Sequence, residues 1–501
     1  MEPEGRLLQG CTWIFQKMLR KTKDFLFADN NSDFKYFVSG MCGAFGFAPF
    51  NLYSIFIAIF AWLLARVYES PLFLLRKAFI FFLGLYMASL YWLAVPLTVD
   101  FSKHFILIPF AVTLIPAYFA FQMLIPIFVL RYFHGIFAKA LAFSIAYTAV
   151  IYLHGHGSFG FPWIFPAYIW SSHELFMQTL SIYGVYGFSF VTIFIASLFG
   201  AAVFYRDQNK TRQSLKYLSI ATSLFFAICI FGIVRLAKNP TEYTQITARV
   251  IQPNIQHHEK KQRRNMLNRM LELSKNSGEI NLLIWPEATI PYLYSENLRG
   301  LHQLISAPLV RNNSYLIAGA VREDFAENIY NSAVIIDYFG RNIHNYDKIH
   351  LVPFGEYIPF RSFIPFENIT NDIGDFYVGD PAQNRPIELC GLKIALAICY
   401  EAVFSVDCIP SNDQQIDLMI NLTNDGWFGF TTQPFQHLQI VRARAIEMGV
   451  PLIRAANIGV SAVFDSLGRK IKHIPMGTIG YIDFKIPSKL SQKTLFSRFC
   501  F

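Results

Sequence analysis

The stretch KIALAICYEAVF, residues 393–404, decides how the second half of this chain folds. Its apolar residues alternate with small ones, at Ile394, Leu396 and Ile398. This pattern is typical of a buried strand, and it predicts a turn at the strand end that presents Cys399. Taken alone, Cys399 is better explained as a packed structural cysteine, because free cysteine is among the most buried residue types. Two further stretches favour a chemical role.

Each of these stretches supplies a charged side chain next to an apolar run. In LLIWPEATIPY, Glu287 follows a short apolar run and a proline, and in YDKIHLVPFGEYIP, Lys348 precedes Glu356. A thiol, a carboxylate and an ammonium group are what nucleophilic acyl transfer needs. The carboxylate takes the thiol proton, the thiolate attacks, and the ammonium stabilises the thiolate and the oxyanion. We therefore predict that Glu287, Lys348 and Cys399 form a catalytic group.

Together these motifs resemble the nitrilase-like carbon–nitrogen hydrolases, which carry a Glu-Lys-Cys triad in this chain order. The segments WPEA, KIHLVPFGE and ICYE are closer still to one membrane branch, the bacterial apolipoprotein N-acyltransferases. The resemblance covers nearly the whole chain. It implies a polytopic α-helical membrane domain followed by an α/β domain with the α-β-β-α sandwich fold. It also makes Glu287 the base, Lys348 the charge-stabilising group and Cys399 the nucleophile.

The resemblance implies supporting roles for six other residues. Glu356 would be a carboxylate that positions the site, although a structural ion pair between Lys348 and Glu356 or Asp347 is an alternative. Tyr400 and Glu401 would support the geometry of the nucleophile and the fit of an acyl chain. The block NLTNDGWFG and the helix after it supply candidates for the site wall, at Asn424, Trp427 and His437. Trp427 is equally well explained as a core residue.

Composition places the chain among membrane proteins rather than soluble enzymes. Of its 501 residues, 53% are hydrophobic and only 15% are charged. The net charge of +9 could suggest nucleic acid, but the basic residues are scattered or lie between apolar spans. We interpret them as topology signals and membrane-surface contacts, and we predict no nucleic-acid partner.

The seven cysteines contain no C-x-x-C pair and have no His-rich ligand spacing beside them. We therefore predict no metal site. Cys390, Cys399 and Cys408 are evenly spaced, but a disulfide through Cys399 would silence the nucleophile. Any such bond is expected to spare that residue.

Seven apolar spans are predicted before the catalytic part. Residues 36–66 form an apolar stretch that is broken at Pro49 and Asn51 into two short spans. The others lie at roughly 78–95, 105–130, 135–152, 184–205 and 216–235. Lys and Arg accumulate in alternate loops, which predicts an inner-membrane protein with a cytoplasmic N-terminus and a periplasmic catalytic part. The predicted domains are a cytoplasmic segment 1–35, a membrane domain 36–236, a catalytic domain 240–488 and a tail 489–501.

From residue 240 the periodicity changes to short strands that alternate with helical patterns. Strands are predicted at 246–252, 282–285, 315–321, 331–337, 393–398, 417–425, 451–457 and 461–465. Helices are predicted at 263–275 and 434–448, with a further helix or arm near 295–311. This order is typical of an α/β sandwich.

Three aromatic regions are predicted to lie near the membrane. The loop GHGSFGFPWIFPAYIW, residues 155–170, is typical of an interface belt, and it also resembles the GFPW loop of the acyltransferases, which implies docking or lipid access. His154 and His156 are expected to be polar loop residues. The connections 290–312 and 354–380 are predicted to be membrane-facing arms rather than loops packed on the domain. Their apolar residues are Tyr292, Leu293, Tyr294, Phe360, Phe363, Ile364, Pro365 and Phe366.

The resemblance implies a two-step acyltransferase. The acyl donor would be a membrane phospholipid, and the acceptors would be apolipoproteins that carry an N-terminal diacylglyceryl-cysteine. No cofactor is expected, because the donor is already an activated ester. One alternative is a membrane-tethered amidase that acts on a small periplasmic amide, which would share the triad. Another is a non-catalytic scaffold or transporter, which the near absence of charged residues within the spans disfavours.

Overall fold

The structure is a computed structural model, and its helical part comes first along the chain. It describes residues 33–157, 160–256, 262–275, 280–295, 298–310, 313–359, 361, 374–383, 385–405 and 416–499. The helices of the first part are α1 (Asp33–Gly43), α2 (Tyr53–Glu69), α3 (Leu75–Leu90), α4 (Phe101–His104), α5 (Ile108–Gln122), α6 (Leu124–Val129), α7 (Ile136–His156), α8 (Glu174–Met177), α9 (Leu180–Asp207) and α10 (Thr211–Lys238).

Five helical stretches within the described ranges are long and apolar enough to cross a membrane. They are Leu75–Thr98, Phe101–Tyr132, Ile136–His156, Leu180–Asp207 and Thr211–Lys238. The predicted break at Pro49 and Asn51 is confirmed, because it separates α1 from α2. These two helices have 11 and 17 residues. At a rise of about 1.5 Å per residue, both are shorter than a hydrocarbon core of about 30 Å. That they span the membrane therefore stays a prediction.

The long helix α9 is interrupted near its start by Gly184. This residue has φ 60° and ψ −173°, a conformation that favours glycine. The interruption frees the next backbone amide, and Val185 N donates to Glu447 Oε1 at 2.8 Å. A Cβ atom at Gly184 would lie 2.1 Å from the ring of Phe496, so the missing side chain leaves a notch that this ring fills.

The described residues of the second part form twelve strands in two six-stranded sheets. The strands are β1 (Tyr243–Gln252), β2 (Leu282–Ile284), β3 (Tyr315–Glu323), β4 (Ile329–Asp337), β5 (Asn342–Asp347), β6 (Ile387–Leu389), β7 (Leu392–Ile398), β8 (Leu418–Thr423), β9 (Leu452–Ala456), β10 (Ser461–Phe464), β11 (Lys470–Ile474) and β12 (Gly480–Pro487). One sheet has the order β12-β1-β2-β3-β4-β5, and the other has the order β11-β10-β9-β8-β7-β6.

In the described ranges of this part the α-helices are α11 (Arg263–Ser274), α12 (Arg299–Ser306), α13 (Gln433–Met448) and α14 (Leu495–Phe499). Alternate strand residues, among them Ile284, Ile398 and Ile420, form an apolar core between the two sheets. The opposite face of the first sheet packs on α11 and α12, and that of the second packs on α13. These four layers confirm the predicted α-β-β-α fold class.

All eight predicted strands are present, but β5, β6, β11 and β12 were not predicted. The sequences of β5 and β11, NIHNYD and KIKHI, are rich in polar residues, lie at sheet edges and each contain only one buried residue. Such strands lack the apolar run by which the central strands are recognised.

Helix α13 and the loop at 155–170 join the two parts. Trp163 Nε1 donates to Gln436 Oε1 at 2.8 Å, and Trp92 Nε1 donates to the same oxygen at 3.2 Å. Trp163 and Trp170 are buried, so the described part of this loop, residues 160–170, packs inside the protein rather than forming an interface belt. The expectation for the two histidines was wrong, since both His154 and His156 lie in the last turn of α7 and His154 is buried.

The prediction of exposed arms fails at Tyr294. Its side chain is fully buried, and its backbone N–H donates to Val321 O at 2.8 Å, because this part of the connection pairs with β3. Tyr292 is half-buried against the same core, whereas Leu293 is exposed. The other predicted arm residues, Phe360, Phe363, Ile364, Pro365 and Phe366, lie outside the described residues.

Candidate active site

The nucleophile candidate sits on a strained turn directly after β7. Cys399 has φ 50°, the left-handed region that residues other than glycine rarely adopt. It begins a short 3₁₀ helix, Cys399–Val403, and its thiol is free and half-buried. Strain of this kind persists only where the surroundings hold the backbone in place, and it is common at active sites.

The carboxylate candidate lies past the end of β2. Glu287 is buried, and it lies close enough to the Cys399 thiol for its negative charge to raise the pKa of that thiol. The turn that carries it packs directly on Gly319 of β3: Gly319 N donates to Pro286 O at 3.1 Å. A Cβ at Gly319 would lie 2.5 Å from the Cα of Glu287, so only glycine allows this approach. Sequence reasoning missed the requirement, since Gly319 looks like any small residue in a strand.

The lysine candidate follows β5 and is held between two carboxylates. Lys348 Nζ donates to Glu356 Oε1 at 2.9 Å and lies 3.7 Å from Glu287 Oε1. Asn331 of β4 links the two acids, because its Nδ2 donates to Glu287 Oε1 at 2.8 Å and to Glu356 Oε1 at 2.7 Å. Val352 N donates to the second Glu356 oxygen at 2.7 Å. Glu356 therefore holds Lys348 directly and is linked to Glu287 through Asn331. The sequence analysis missed Asn331, because no motif marks it.

The electrostatics of the cluster keep the proton on sulfur at rest. Burial, followed by the negative charge of Glu287, raises the pKa of the Cys399 thiol well above its usual value, although Lys348 opposes this. Burial also raises the pKa of Glu287, and the neighbouring Glu356 adds to the effect while Lys348 opposes it. Burial alone would lower the pKa of Lys348, but Glu356 and Glu287 raise it, so the ammonium stays charged.

Glu401 ties the nucleophile turn to the lysine segment. Its Oε2 accepts from Ile398 N at 2.6 Å and from Tyr346 Oη at 2.9 Å. Its Oε1 accepts from Ile349 N at 2.6 Å. One buried carboxylate thus fixes the residue before Cys399 and the residue after Lys348.

Tyr400 connects the same turn to the helical part. Its hydroxyl donates to Gly160 O at 2.5 Å. Tyr400, Val403 and Phe404 belong to the same apolar core as the membrane-type helices. The nucleophile turn is therefore packed on the helices directly and not only through the linker between the two parts.

The remaining candidates lie after β8 and on α13. Asn424 Oδ1 accepts from Gly426 N at 3.2 Å and from Asn457 Nδ2 at 3.2 Å, so its side chain shapes the loop. Trp427 is half-buried. His437 is buried, and its Nδ1 lies 2.9 Å from Asp425 Oδ1. Within the described ranges, no group of three or more His, Cys, Asp or Glu side chains could hold a metal ion.

Two family models match this chain in succession. The model of the apolipoprotein N-acyltransferase N-terminal domain matches residues 39–198, and the carbon-nitrogen hydrolase model matches residues 247–494.

Full-length relatives match across both regions. A Rickettsia bellii protein named apolipoprotein N-acyltransferase is 35% identical over 440 residues, which is 85% of each chain. A Bradyrhizobium diazoefficiens protein of the same name is 32% identical over 490 residues, covering 92% of this chain and 90% of the relative. Among solved structures, a carbon-nitrogen hydrolase from Helicobacter pylori is 21% identical, with 48% of this chain and 88% of that chain covered and a TM-score of 0.37.

Proposed function

The chain belongs to the apolipoprotein N-acyltransferase family, and from that premise we propose that it moves a fatty acyl chain from a membrane phospholipid to the N-terminal amine of apolipoproteins. The observation that carries this proposal is the packing of Tyr400, Val403 and Phe404, next to the nucleophile, into the core of the membrane-type helices. An enzyme for a small soluble amide would gain nothing from this contact. A lipid substrate needs a reacting thiol at the bilayer.

In the first step, Glu287 takes the Cys399 proton while sulfur attacks the ester carbonyl of the phospholipid. Lys348, 3.7 Å from Glu287 and fixed by Glu356, stabilises the oxyanion of the tetrahedral intermediate. The intermediate collapses, the ester C–O bond breaks, and Glu287 returns the proton to the departing lysophospholipid oxygen. The products are a thioester on Cys399 and a lysophospholipid.

In the second step, the free α-amine of a diacylglyceryl-modified N-terminal cysteine attacks the thioester. Glu287 takes a proton from the amine and delivers it to the departing Cys399 sulfur. An amide forms and the thiol is restored. An amine outcompetes water only where water is kept from the thioester. The helices against which Tyr400 and Phe404 pack supply that protection.

The charges of the site suit this proton transfer. Glu287 and Glu356 both face the Lys348 ammonium. If the Cys399 proton left the site instead of moving to Glu287, the thiolate would add a third negative charge around Lys348. When Glu287 accepts the proton, the net charge of the buried cluster does not change. Its raised pKa makes Glu287 a better base than an ordinary glutamate.

We also propose that the protein lies in the bacterial inner membrane with the catalytic part on the periplasmic side. The alternation of basic loops supports this orientation, with Arg206 in the last turn of α9 and Lys210 just before α10, on the opposite side from β1. The proposed division is a membrane domain over residues 36–236 and a catalytic domain over 240–488. Arg469 joins them, since it donates to Asn239 O at 2.8 Å and to Leu236 O at 2.6 Å at the end of α10.

The test uses purified full-length protein and phospholipid with a labelled acyl chain. We expect a label on the protein that hydroxylamine removes, and we expect it to pass to a synthetic diacylglyceryl-cysteine peptide when that peptide is added. Cys399→Ser should take up no label, because a serine hydroxyl in the same place is far less ionised. Cys390→Ser, which changes another free cysteine, should behave as wild type. Release of free fatty acid without transfer to the peptide would instead support hydrolysis.

A further inference from the structure

A buried polar chain runs beneath the nucleophile turn and is not used by the chemistry above. It consists of Asn421 on β8, Arg454 on β9, Asp425 after β8 and His437 on α13. Each of these side chains is at most 1% exposed. Groups of this kind are costly to bury unless every partner is in place, so their position under a reactive cysteine requires an explanation.

This polar chain begins at the backbone of the nucleophile, Cys399. Asn421 Nδ2 donates to Cys399 O at 3.3 Å and to Ala397 O at 3.2 Å. In the parallel pairing of β7 with β8, Asn421 lies beside Ala397, so strand register delivers the amide to this place. The carbonyl that it holds belongs to the residue with φ 50°.

Arg454 fixes the orientation of that amide. Its Nη1 donates to Asn421 Oδ1 at 2.6 Å, so the oxygen faces the guanidinium and the NH₂ group must face Cys399. Asn421 and Arg454 are direct partners in the pairing of β8 with β9. The second nitrogen, Nη2, donates to Asp425 Oδ2 at 2.6 Å.

Asp425 closes the chain and neutralises its charge. It accepts from Arg454 through one oxygen and faces His437 Nδ1 with the other at 2.9 Å. Burial alone would raise the pKa of Asp425, but Arg454 and His437 hold it below its usual value, so the carboxylate is ionised. One cation and one anion therefore balance inside the domain, with His437 as a further hydrogen-bonding partner.

We propose that Asn421, Arg454 and Asp425 are positioning residues: they hold the Cys399 backbone in its left-handed conformation and so direct its sulfur toward Glu287. Strand register places Asn421, Arg454 sets its orientation, and Asp425 fixes Arg454. None of the three side chains is proposed to touch the reacting atoms.

The proposal rests on the proposed function, because turnover is measured as acyl transfer from phospholipid. The experiment therefore also measures the reactivity of the Cys399 thiol itself. Full-length protein in mixed phospholipid micelles is treated with iodoacetamide, and alkylation of Cys399 is followed by peptide mass analysis. Acyl-enzyme formation from phospholipid is measured on the same samples. The variants are Asn421→Asp, which keeps the acceptor for Arg454 but loses the donor to Cys399, and Asn421→Leu, which loses both without adding a charge. Arg454→Lys keeps the charge but cannot form both bonds.

We expect all three variants to slow both alkylation and acylation about 10- to 100-fold, with kcat reduced and KM unchanged, because misplacement of a reacting group by about 1 Å has effects of this size. Arg249→Lys is the matched control. Arg249 is equally buried and pairs with Asp483 through two hydrogen bonds of 2.6 and 2.7 Å, but it lies in the other sheet. It should lower the melting temperature and leave both rates unchanged.

If the folded fraction of the three variants alkylates and acylates at the wild-type rate while melting earlier, the chain is only structural and the proposal is overturned. If the variants slow alkylation but wild type forms no acyl adduct with phospholipid, the positioning role stands and the proposed donor is wrong.

Discussion

At the scale of single residues, the site depends on where charge rests before the reaction. Lys348 is shared by Glu287 and Glu356, and Asn331 bridges the two acids. The thiol of Cys399 stays protonated in this field because burial and Glu287 raise its pKa. The reaction therefore begins with a proton transfer rather than with a standing thiolate, and this has a measurable consequence in the pH profile.

We predict that acyl-enzyme formation falls as the pH is lowered through the pKa of Glu287, with a midpoint above that of an ordinary glutamate. The direction follows because the base must be deprotonated to accept the thiol proton, and burial raises its pKa. Single-turnover rates across a pH series would measure the midpoint. Glu287→Gln should lower the rate by about 10²- to 10⁴-fold and abolish this acid limb. A wild-type profile that stays flat down to the pKa of an exposed glutamate would contradict the role of Glu287 as base.

A second prediction concerns Gly319. Gly319→Ala adds a methyl group 2.5 Å from the Cα of Glu287, so the turn must move and the carboxylate with it. We expect turnover to fall about 100-fold, because the base is misplaced, and stability to fall by about 1–3 kcal/mol from overpacking. Gly300→Ala in α12 is the control, since nothing lies within 4 Å of the added Cβ and both activity and fold should survive. Equal activity of the two variants would exclude the close approach.

The triad candidates could be predicted from sequence because each follows an apolar strand or a recognisable motif. Asn331, Asn421 and Arg454 could not, since each is a polar residue inside a strand. Their partners become visible only when neighbouring strands are paired, as Asn421 is with Arg454. Asp425 adjoins the predicted Asn424, but its partner Arg454 comes from another strand. Hydrogen bonds between strands depend on which strands are neighbours and on their register, and the sequence of one strand does not name its partner strand.

At the scale of elements, helix α13 belongs to the catalytic fold and also to the joint with the membrane-type helices. Its residue Gln436 accepts from Trp163 and Trp92, and Arg442 Nη1 donates to Ser171 O at 3.0 Å. The next residue, His437, is buried and contacts Asp425 of the polar chain beneath the nucleophile turn. One rigid helix therefore connects the membrane side to the active site. The sequence predicted the helix but not its partners, because partners on another part of the chain have no periodicity to reveal them.

We predict that Gln436→Leu destabilises the protein by about 1–3 kcal/mol, because the buried Trp163 N–H loses its acceptor. Trp92 is less affected, since its Nε1 also lies 3.0 Å from Ser89 O. Gln436→Glu keeps an acceptor of the same shape, so we expect it to retain more stability than the leucine variant. Thermal unfolding in detergent with tryptophan fluorescence would compare the two. If both variants melt together with wild type, these hydrogen bonds contribute nothing to the joint.

At the scale of the whole molecule, the five long apolar helices found among the described residues precede a four-layer α/β domain, and the two parts share an apolar core around Tyr400 and Phe404. Composition and span length predicted this division, because the apolar content of a segment and the length of its apolar runs depend on whether lipid or water surrounds it. The packing between the parts could not be predicted, since it depends on the shapes of surfaces that meet only after folding.

The proposed orientation predicts which surfaces an impermeant thiol reagent reaches in intact spheroplasts. Ala326→Cys lies on an exposed turn of the catalytic part, and Gln208→Cys lies on the exposed loop between α9 and α10. We expect position 326 to react without lysis and position 208 to react only after lysis. The parent chain, treated in parallel, reports the background from its own cysteines. The reverse pattern would place the catalytic part in the cytoplasm.

The notch at Gly184 has a consequence for the order in which the molecule is completed during synthesis. Helix α9 is synthesised early. Phe496, whose ring packs against Gly184, and Glu447, which accepts from Val185 N, are synthesised only after most of the catalytic part. Until then, this end of α9 lacks the Phe496 ring that packs against Gly184 and the Glu447 carboxylate that accepts from Val185 N. The packing around this end of α9 can therefore be completed only after residues 447 and 496 have been synthesised, which is later than the nucleophile at residue 399.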